Sequence, residues 1–364
     1  MEEKKAAKTV VSGMRPTGRL HLGNYWGALR NWVELQDKYR CFFFIADWHA
    51  LTTAEDTVGL RDNTRLLVTD WLTAGLDPEK CVIFRQSDVK EHAELALLMG
   101  MMTPISWLLR NPTFKEQLQE LYKARYKGQE DKMRKAEGVT RALAEAHGHE
   151  ADDMALHSDM ATYGFLGYPV LQAADIALYG AEFVPVGRDQ LPHLELSREI
   201  VRRFNRAAGK PLLIEPEPLL TGSPMVPGLD GRKMSKSYGN AIELGEDPKS
   251  AEAKIKKMFT DPKKIKADDP GHPEGCVVCA FHRIYNPDWK AREEECRSGK
   301  AGCGACKKQL AELMAPSLAD FKARREPFEK DQALADRILA AGAEKAKAAA
   351  AELMAGVNSA LRIK

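Results

Sequence analysis

A glycine-containing segment near the start of the chain has the composition of a phosphate-binding turn. Residues 16–24 read PTGRLHLGN and lie between a β-branched run at 9–12 and an amphipathic stretch at 22–37. Glycine lets the backbone approach a phosphate closely, and the first N–H groups of a helix attract anions. His21 and Asn24 are three residues apart, so one helical turn would direct both side chains toward the same ligand. The pattern is also common in strand–glycine–helix turns that are only tightly packed.

A second polar cluster suits the charge of a polyphosphate. Residues 233–237 read KMSKS and lie in a glycine-rich loop at 221–240. Lys233 and Lys236 are two cations three residues apart, with serine hydroxyls beside them. They could stabilise the negative charge that accumulates on a leaving pyrophosphate. A solvated Lys/Ser/Gly loop is the ordinary alternative for this composition.

Five of the seven cysteines fall between 276 and 306. In a reducing compartment, clustered cysteines indicate a metal site rather than a disulfide framework. Two choices of four ligands are possible. Cys276, Cys279, Cys303 and Cys306 form two C-x2-C pairs, the spacing typical of zinc. The alternative set uses Cys296 in place of Cys279.

The order of strand-like and helix-like patterns predicts a parallel, doubly wound α/β sheet. The continuous apolar run at 41–46 is typical of a strand buried on both faces, and a second strand is predicted at 81–84. Helical patterns at 58–75 and 91–102 follow these strands. Further β segments are expected near 168–186. In such sheets the ligand binds at the carboxyl ends of the strands.

The remaining segments of the sequence predict a helical insertion and a division of the chain into two domains. Residues 112–160 are rich in Lys, Glu and Ala without a strand candidate, and they are interpreted as a helical insertion. We expect a catalytic domain at 1–243 and a helical domain at 244–364. The second domain carries the five clustered cysteines and ends in one long helix or a helix pair at 331–361.

Overall charge points to no particular partner, because 54 Lys and Arg residues nearly balance 52 Asp and Glu residues. A mild basic excess in the C-terminal region suits an RNA backbone, although such an excess is more often an ordinary solvated face. The chain starts without a signal-peptide pattern and contains no apolar run of about 18 residues. A cytoplasmic protein without membrane contact is therefore expected.

Together, HLGN and KMSKS resemble the two signatures of the class I aminoacyl-tRNA synthetases. Three further segments resemble the tryptophanyl-tRNA synthetases: DWHALT at 47–52, YPVLQAADI at 168–176 and VPVGRDQ at 184–190. The resemblance extends over essentially the whole chain, including GAEKA at 342–346. It implies a class I Rossmann-type parallel sheet with a helical C-terminal, tRNA-binding domain.

The resemblance also implies a role for each site residue. Asp175 would accept a hydrogen bond from the indole N–H, a group that can only donate, and its apolar surroundings in sequence disfavour a solvated role. The implied tryptophan pocket comprises Val11, Gly13, His49, Tyr168, Gln172, Asp175, Val184 and Val186. The implied ATP-binding residues are Gly13, Met14, Arg15, Thr17, Gly23, Asn24, Gly187, Arg188, Asp189, Gln190, Lys233, Met234, Ser235, Lys236 and Ser237. His21, Asn24, Lys233 and Lys236 would be catalytic, with Asn24 standing where class I enzymes generally have His.

The implied activity has two steps. ATP with Mg and L-tryptophan would give tryptophanyl-adenylate and pyrophosphate, and the aminoacyl group would then pass to the 3′ end of a tRNA for tryptophan. Members of the family are homodimers. One subgroup carries a 4Fe–4S cluster, and this chain resembles it at Cys276, Cys296, Cys303 and Cys306. Zinc on Cys276, Cys279, Cys303 and Cys306 is the alternative.

Two other functions are compatible with parts of the pattern. Tyrosyl-tRNA synthetases share the fold and a Gln…Asp pair in the corresponding helix. An iron–sulfur regulatory or RNA-binding protein on a degenerate synthetase scaffold is the more distant alternative. Intact HLGN and KMSKS segments disfavour it, since a binding protein needs neither phosphate signature.

Overall fold

The computed structural model describes residues 8–52, 57–111, 114, 131, 162–220, 226–331 and 333–363. The predicted insertion at 112–160 therefore lies almost entirely outside the described residues. The first part of the 221–240 loop and the side chain of Ser237 also lie outside them.

Five parallel strands form the central sheet. They are β1 (Thr9–Met14), β2 (Arg40–Ile45), β3 (Cys81–Arg85), β4 (Phe183–Val186) and β5 (Glu217–Leu220). Their order in the sheet is β3-β2-β1-β4-β5, and every neighbouring pair is parallel. After β3 at one edge, the chain returns to the other side of β1 to form β4, which makes the sheet doubly wound. The predicted α/β class and Rossmann-type sheet are confirmed.

Helices cover both faces of the sheet and form the C-terminal part of the chain. A π-helical turn, Tyr25–Leu29, joins the first two helices. The helices are α1 (Leu22–Asn24), α2 (Arg30–Leu35), α3 (Asp47–Leu51), α4 (Leu60–Ala74), α5 (Glu91–Met102), α6 (Ile105–Leu109), α7 (Tyr163–Ala177), α8 (Leu191–Ala208), α9 (Pro248–Lys256), α10 (Val277–Tyr285), α11 (Trp289–Arg297), α12 (Cys303–Lys330) and α13 (Leu334–Leu361).

The sheet divides the core into two layers, as the side chains of β2 show. Phe43 points to one face, where it stacks on Trp32 at a ring-centroid distance of 4.7 Å. Phe42 and Phe44 point to the other face, where Phe42 stacks on Tyr179 at 4.5 Å. Every residue of β2 after Arg40 is buried, which explains why its sequence is continuously apolar rather than alternating.

The prediction of β segments near 168–186 is wrong for its first half. Helix α7 occupies Tyr163–Ala177, and only Phe183–Val186 forms a strand. The side chain of Thr162 caps the helix by accepting a hydrogen bond from Phe165 N at 3.1 Å. Because α7 is buried on several sides, its sequence is nearly uniformly apolar, and no 3.6-residue period distinguishes it from a buried strand.

The final helix packs on the sheet of the N-terminal part. The predicted helix at 331–361 is confirmed as a single helix, α13, which lies against β3. Gly342 permits this approach, because a Cβ atom there would overlap the backbone carbonyl of Ile83. Within the part of the chain that the structure describes, no helix is long and apolar enough to cross a membrane.

Candidate functional site

The segment 16–24 turns at the carboxyl end of β1. His21 caps α1: its Nδ1 accepts a hydrogen bond from Asn24 N at 3.2 Å, and Asn24 Oδ1 accepts one from His21 N at 3.2 Å. Burial, with a smaller contribution from Lys236, lowers the pKa of His21 to about 4. The neutral ring accepts at Nδ1, so Nε2 carries the proton and can donate it to an oxygen ligand.

The KMSKS segment packs directly on this turn. Lys236 Nζ donates to the carbonyl oxygen of Arg19 at 2.7 Å and to that of Thr17. Met234 is buried, and its sulfur accepts from Gly23 N at 3.3 Å. The structure therefore brings together two segments that are more than 200 residues apart in sequence, as a shared phosphate site requires.

The segment that follows β4 faces the same loop. Arg188–Gln190 forms a 3-10 turn, and Gly187 lies so close to it that a Cβ atom would sit 2.6 Å from Asp189 Oδ1. Lys233 Nζ lies 3.8 Å from Asp189 Oδ2, and the Lys233 side chain is 81% exposed. Lys233 is thus available to an incoming anion, whereas Lys236 is already bonded to the backbone.

Asp175, on α7, is the centre of a buried hydrogen-bond network. Its Oδ2 accepts from His49 Nε2 at 2.8 Å, and its Oδ1 accepts from His92 Nδ1 at 2.7 Å and from Gln86 Nε2 at 2.8 Å. Tyr179 donates its hydroxyl to His92 Nε2 at 2.7 Å. This contact fixes the His92 tautomer that donates to the carboxylate.

The network keeps the Asp175 carboxylate ionised. Burial by itself raises the pKa, but the hydrogen bonds from His49 and His92 outweigh it and hold the pKa at about 2. A carboxylate has about four acceptor positions. Two donors occupy Oδ1 and one occupies Oδ2, so Oδ2 retains an acceptor position for a ligand donor.

The other residues of the implied tryptophan pocket lie on elements around Asp175. Tyr168 and Gln172 share its face of α7 at positions i−7 and i−3 and are half-buried. The Tyr168 hydroxyl lies 3.1 Å from His193 Nδ1. Val11 and Val184 belong to the buried core layer on the α7 side of the sheet, Val186 packs against that layer, and Gly13 lies against the Phe44 ring at the end of β1.

Three residues of the Asp175 network were not predicted from the sequence. Gln86 follows β3 at its carboxyl end, so the rule that ligands bind at strand ends could have identified it. His92 lies on α5 and Tyr179 in the apolar turn after α7, and neither carries such a signal.

The five clustered cysteines come together at the helix ends of the C-terminal part. Cys276, Cys279, Cys296 and Cys306 are buried, Cys303 is half-buried, and all five are free thiols. A hydrogen bond from the Cys279 thiol lowers the pKa of Cys276 to about 6, and Cys279 is also hydrogen-bonded to Cys296. Among the described residues, no group of three or more His, Cys, Asp or Glu side chains is arranged to hold a metal ion.

Comparisons with known proteins agree on one family. The family described as tRNA synthetases class I (W and Y) matches residues 3–319. A tryptophan–tRNA ligase of Aquifex aeolicus is 46% identical over 397 aligned positions, covering 97% of this chain and 99% of the relative. A tryptophan–tRNA ligase of Thermotoga maritima is 44% identical, with the same coverage of each chain. The crystal structure of Campylobacter jejuni tryptophanyl-tRNA synthetase with ADP and tryptophan superposes with a TM-score of 0.75 at 30% identity, covering 96% of this chain and 98% of that one.

Proposed function

Since this chain belongs to the class I tRNA synthetases for tryptophan and tyrosine and is a tryptophan–tRNA ligase, we propose how its residues carry out that reaction. The proposal depends above all on Asp175, which is buried, ionised and has one acceptor position left on Oδ2. An indole N–H is a donor without acceptor capacity, so it fits that position. Tyr168, Gln172, His49, Gly13 and the valines Val11, Val184 and Val186 would surround the ring.

The nucleotide would bind across the two contacting signature segments. His21, neutral and donating from Nε2, and Asn24 would hold the α-phosphate region, while Lys233 and Lys236 would meet the charge of the leaving pyrophosphate with its Mg. The remaining contacts to ATP are assigned to Gly13, Met14, Arg15, Thr17, Gly23, Gly187, Arg188, Asp189, Gln190, Met234, Ser235 and Ser237.

The reaction needs no covalent enzyme intermediate. A tryptophan carboxylate oxygen attacks the α-phosphorus, the bond to the bridging oxygen breaks, and pyrophosphate leaves. The 3′-terminal ribose hydroxyl of the tRNA then attacks the activated carbonyl and releases AMP. Positioning and charge stabilisation by the protein supply the rate enhancement. Residues 244–364 would bind the tRNA, and the activity belongs in the cytoplasm, where tRNA is charged.

Amino acid–dependent ATP–pyrophosphate exchange tests this assignment. We expect exchange with tryptophan and no comparable exchange with tyrosine. Exchange that depends on tyrosine alone would overturn the tryptophan assignment. It would leave the class I mechanism in place, because the fold is shared between the two enzymes.

We also propose a homodimer. Leu97, Met101, Ile105 and Tyr163 are 55%, 75%, 64% and 86% exposed, and they lie on α5, α6 and α7, which pack side by side. Large exposed apolar side chains on helices that pack together are typical of a protein interface. Sedimentation velocity of wild type and Met101→Glu measures the association. A wild-type monomer at micromolar concentration would contradict the proposal.

For the cysteines we propose a 4Fe–4S cluster held by Cys276, Cys296, Cys303 and Cys306. The chemistry of the donors supports the proposal, because these are free thiols, mostly buried, drawn from neighbouring helix ends. The described side chains do not surround a metal position in this structure. Such a group would add folding energy to the C-terminal part. Zinc on Cys276, Cys279, Cys303 and Cys306 is the alternative. Because Cys279 is hydrogen-bonded to both Cys276 and Cys296, the thiol contacts do not distinguish the two sets.

Two single substitutions, made in anaerobically purified protein, distinguish the iron–sulfur assignment from the zinc assignment. Under the iron–sulfur proposal, Cys296→Ser loses iron and visible absorption, whereas Cys279→Ser keeps both. tRNA charging by Cys296→Ser should fall more than adenylate formation, because the C-terminal part binds the tRNA. Zinc that is retained by Cys296→Ser and lost from Cys279→Ser would establish the alternative.

A further inference from the structure

A buried carboxylate outside the described site holds the phosphate-binding segment in place. Asp70 lies on α4 with no exposed surface, and its Oδ2 accepts a hydrogen bond from Leu20 N at 2.7 Å. Leu20 directly precedes His21. The position of His21 therefore depends on a side chain that contacts neither ATP nor tryptophan in the proposed site.

The charge partner of Asp70 comes from the C-terminal helix α12. Arg325 Nη2 lies 2.9 Å from Asp70 Oδ1, and the side chains are 6% and 0% exposed. Arg19 Nη1 is farther away, at 3.6 Å, and its side chain is 28% exposed. Among the described residues, Arg325 is thus the nearest and the most deeply buried cation at this carboxylate.

Arg325 also supports the other backbone group of Leu20. Its Nη2 donates to the carbonyl oxygen of Leu244, and Leu244 N donates to the carbonyl oxygen of Leu20 at 2.8 Å. The N–H and the C=O of Leu20 are therefore both held by groups that Arg325 contacts. Leu22 N, two residues on, donates to Ile242 O at 2.9 Å and extends the same attachment.

We propose that Arg325 is a positioning residue for ATP, acting through Asp70 and Leu244 on the turn that presents His21. The inference rests on the proposed function, since it takes the 16–24 segment as the site of ATP phosphate. A residue of the C-terminal part thereby fixes the geometry of the nucleotide site. Without it, the buried Asp70 charge would keep only the more distant and more exposed Arg19 as a partner, and the turn would lose the fixed position on which an in-line reaction depends.

Nucleotide and amino acid should respond differently to loss of this contact. The Asp175 network does not include Asp70, Arg325 or Leu244. Arg325→Met removes the positive charge and keeps a long, unbranched side chain. We expect it to raise the KM for ATP in pyrophosphate exchange about tenfold, with the tryptophan Kd changed by less than about twofold.

Arg324→Met is the matched control. Arg324 is the next residue on α12, also contacts α4 through the Thr73 carbonyl, and is 49% exposed. The KM for ATP and the Kd for tryptophan of Arg324→Met should stay within about twofold of the wild-type values. Arg325→Lys keeps a cation near Asp70, and its KM for ATP should lie between those of wild type and Arg325→Met.

Two results would overturn the proposal. One is a folded Arg325→Met protein with the wild-type KM for ATP. The other is an equal rise in the tryptophan Kd and the ATP KM, which is the mark of general destabilisation. If Arg325→Met does not fold, Asp70→Asn replaces it, because Asn keeps an acceptor for Leu20 N and removes the charge and the oxygen that face Arg325. The same difference between the two constants is expected there. Tryptophan-dependent exchange by the wild type tests the proposed function separately.

Discussion

Replacing Asp175 by Asn tests tryptophan recognition with little change in side-chain volume. The amide has one oxygen and one NH2 group where the carboxylate has two acceptors. An NH2 group at the Oδ1 position would face the donors of His92 and Gln86, so the amide oxygen should take that position. The NH2 group is then left at the Oδ2 position. There it faces His49 and the indole N–H, and the ligand loses its acceptor.

The expected loss follows from the charge of the bond. Hydrogen bonds to charged groups contribute about 1.5–3 kcal/mol, so the tryptophan Kd should rise about 10- to 150-fold. Equilibrium dialysis with radiolabelled tryptophan measures this constant. The control variant is Asp62→Asn, at a side chain that is 78% exposed on α4. Its tryptophan Kd should equal that of wild type.

A second ligand isolates the N–H itself. In 3-(benzothiophen-3-yl)alanine a sulfur atom replaces the indole N–H, so this ligand has no donor for Asp175. Wild type should prefer tryptophan over it, and Asp175→Asn should bind the two with similar affinity. If Asp175→Asn binds tryptophan as tightly as wild type does, or keeps the full preference for tryptophan, the assigned hydrogen bond does not exist.

Three further results are expected. Lys236→Ala should slow single-turnover adenylate formation about 100- to 1000-fold while the tryptophan Kd is unchanged, because its charge is needed mainly in the transition state; an unchanged rate would remove it from the mechanism. The pKa of His21 is lowered from 6.5 to about 4, so the unfolded chain binds the proton first and the free energy of unfolding decreases as the pH is lowered from about 6.5 to about 4. Urea unfolding should show a smaller decrease for His21→Asn than for wild type, and equal decreases would refute the shift. Gly342→Ala should lower the Tm by several degrees, because overlap of the new Cβ atom with Ile83 costs about 1–3 kcal/mol. The control is Gly356→Ala on the same helix, where a Cβ atom meets only Leu212 at 3.5 Å, and its Tm should equal that of wild type.

Local patterns were enough to predict most of the catalytic sheet. β2 was predicted from its apolar run, and α4 and α5 from their helical patterns, because burial on one or both faces determines which residues each element can contain. The same reasoning failed at α7. That helix is buried on several sides and includes Pro169, so composition did not separate it from a strand.

Contacts between distant segments could not be predicted in this way. The packing of the KMSKS loop on the HLGN turn was expected only because both segments resemble known signatures. No periodicity connects Asp70 with Arg325, and each belongs to an ordinary helical, charge-containing stretch in sequence. Their pairing depends on how α12 packs on α4, which is a property of the whole fold.

In the proposed assignment, the Asp175 network would also explain how a shared fold can distinguish tryptophan from tyrosine. A phenol hydroxyl can donate to a carboxylate, so Asp175 alone would not exclude tyrosine. However, the hydroxyl oxygen also needs a donor when it is buried, and His49, His92 and Gln86 already direct their donors to Asp175. In the proposed assignment, tyrosine would leave that oxygen without a partner, at a cost of about 1–3 kcal/mol, whereas an indole has no acceptor to satisfy. Selectivity for tryptophan would therefore have two sources: the open acceptor position on Asp175 Oδ2, and the lack of a free donor for the tyrosine hydroxyl oxygen among His49, His92 and Gln86.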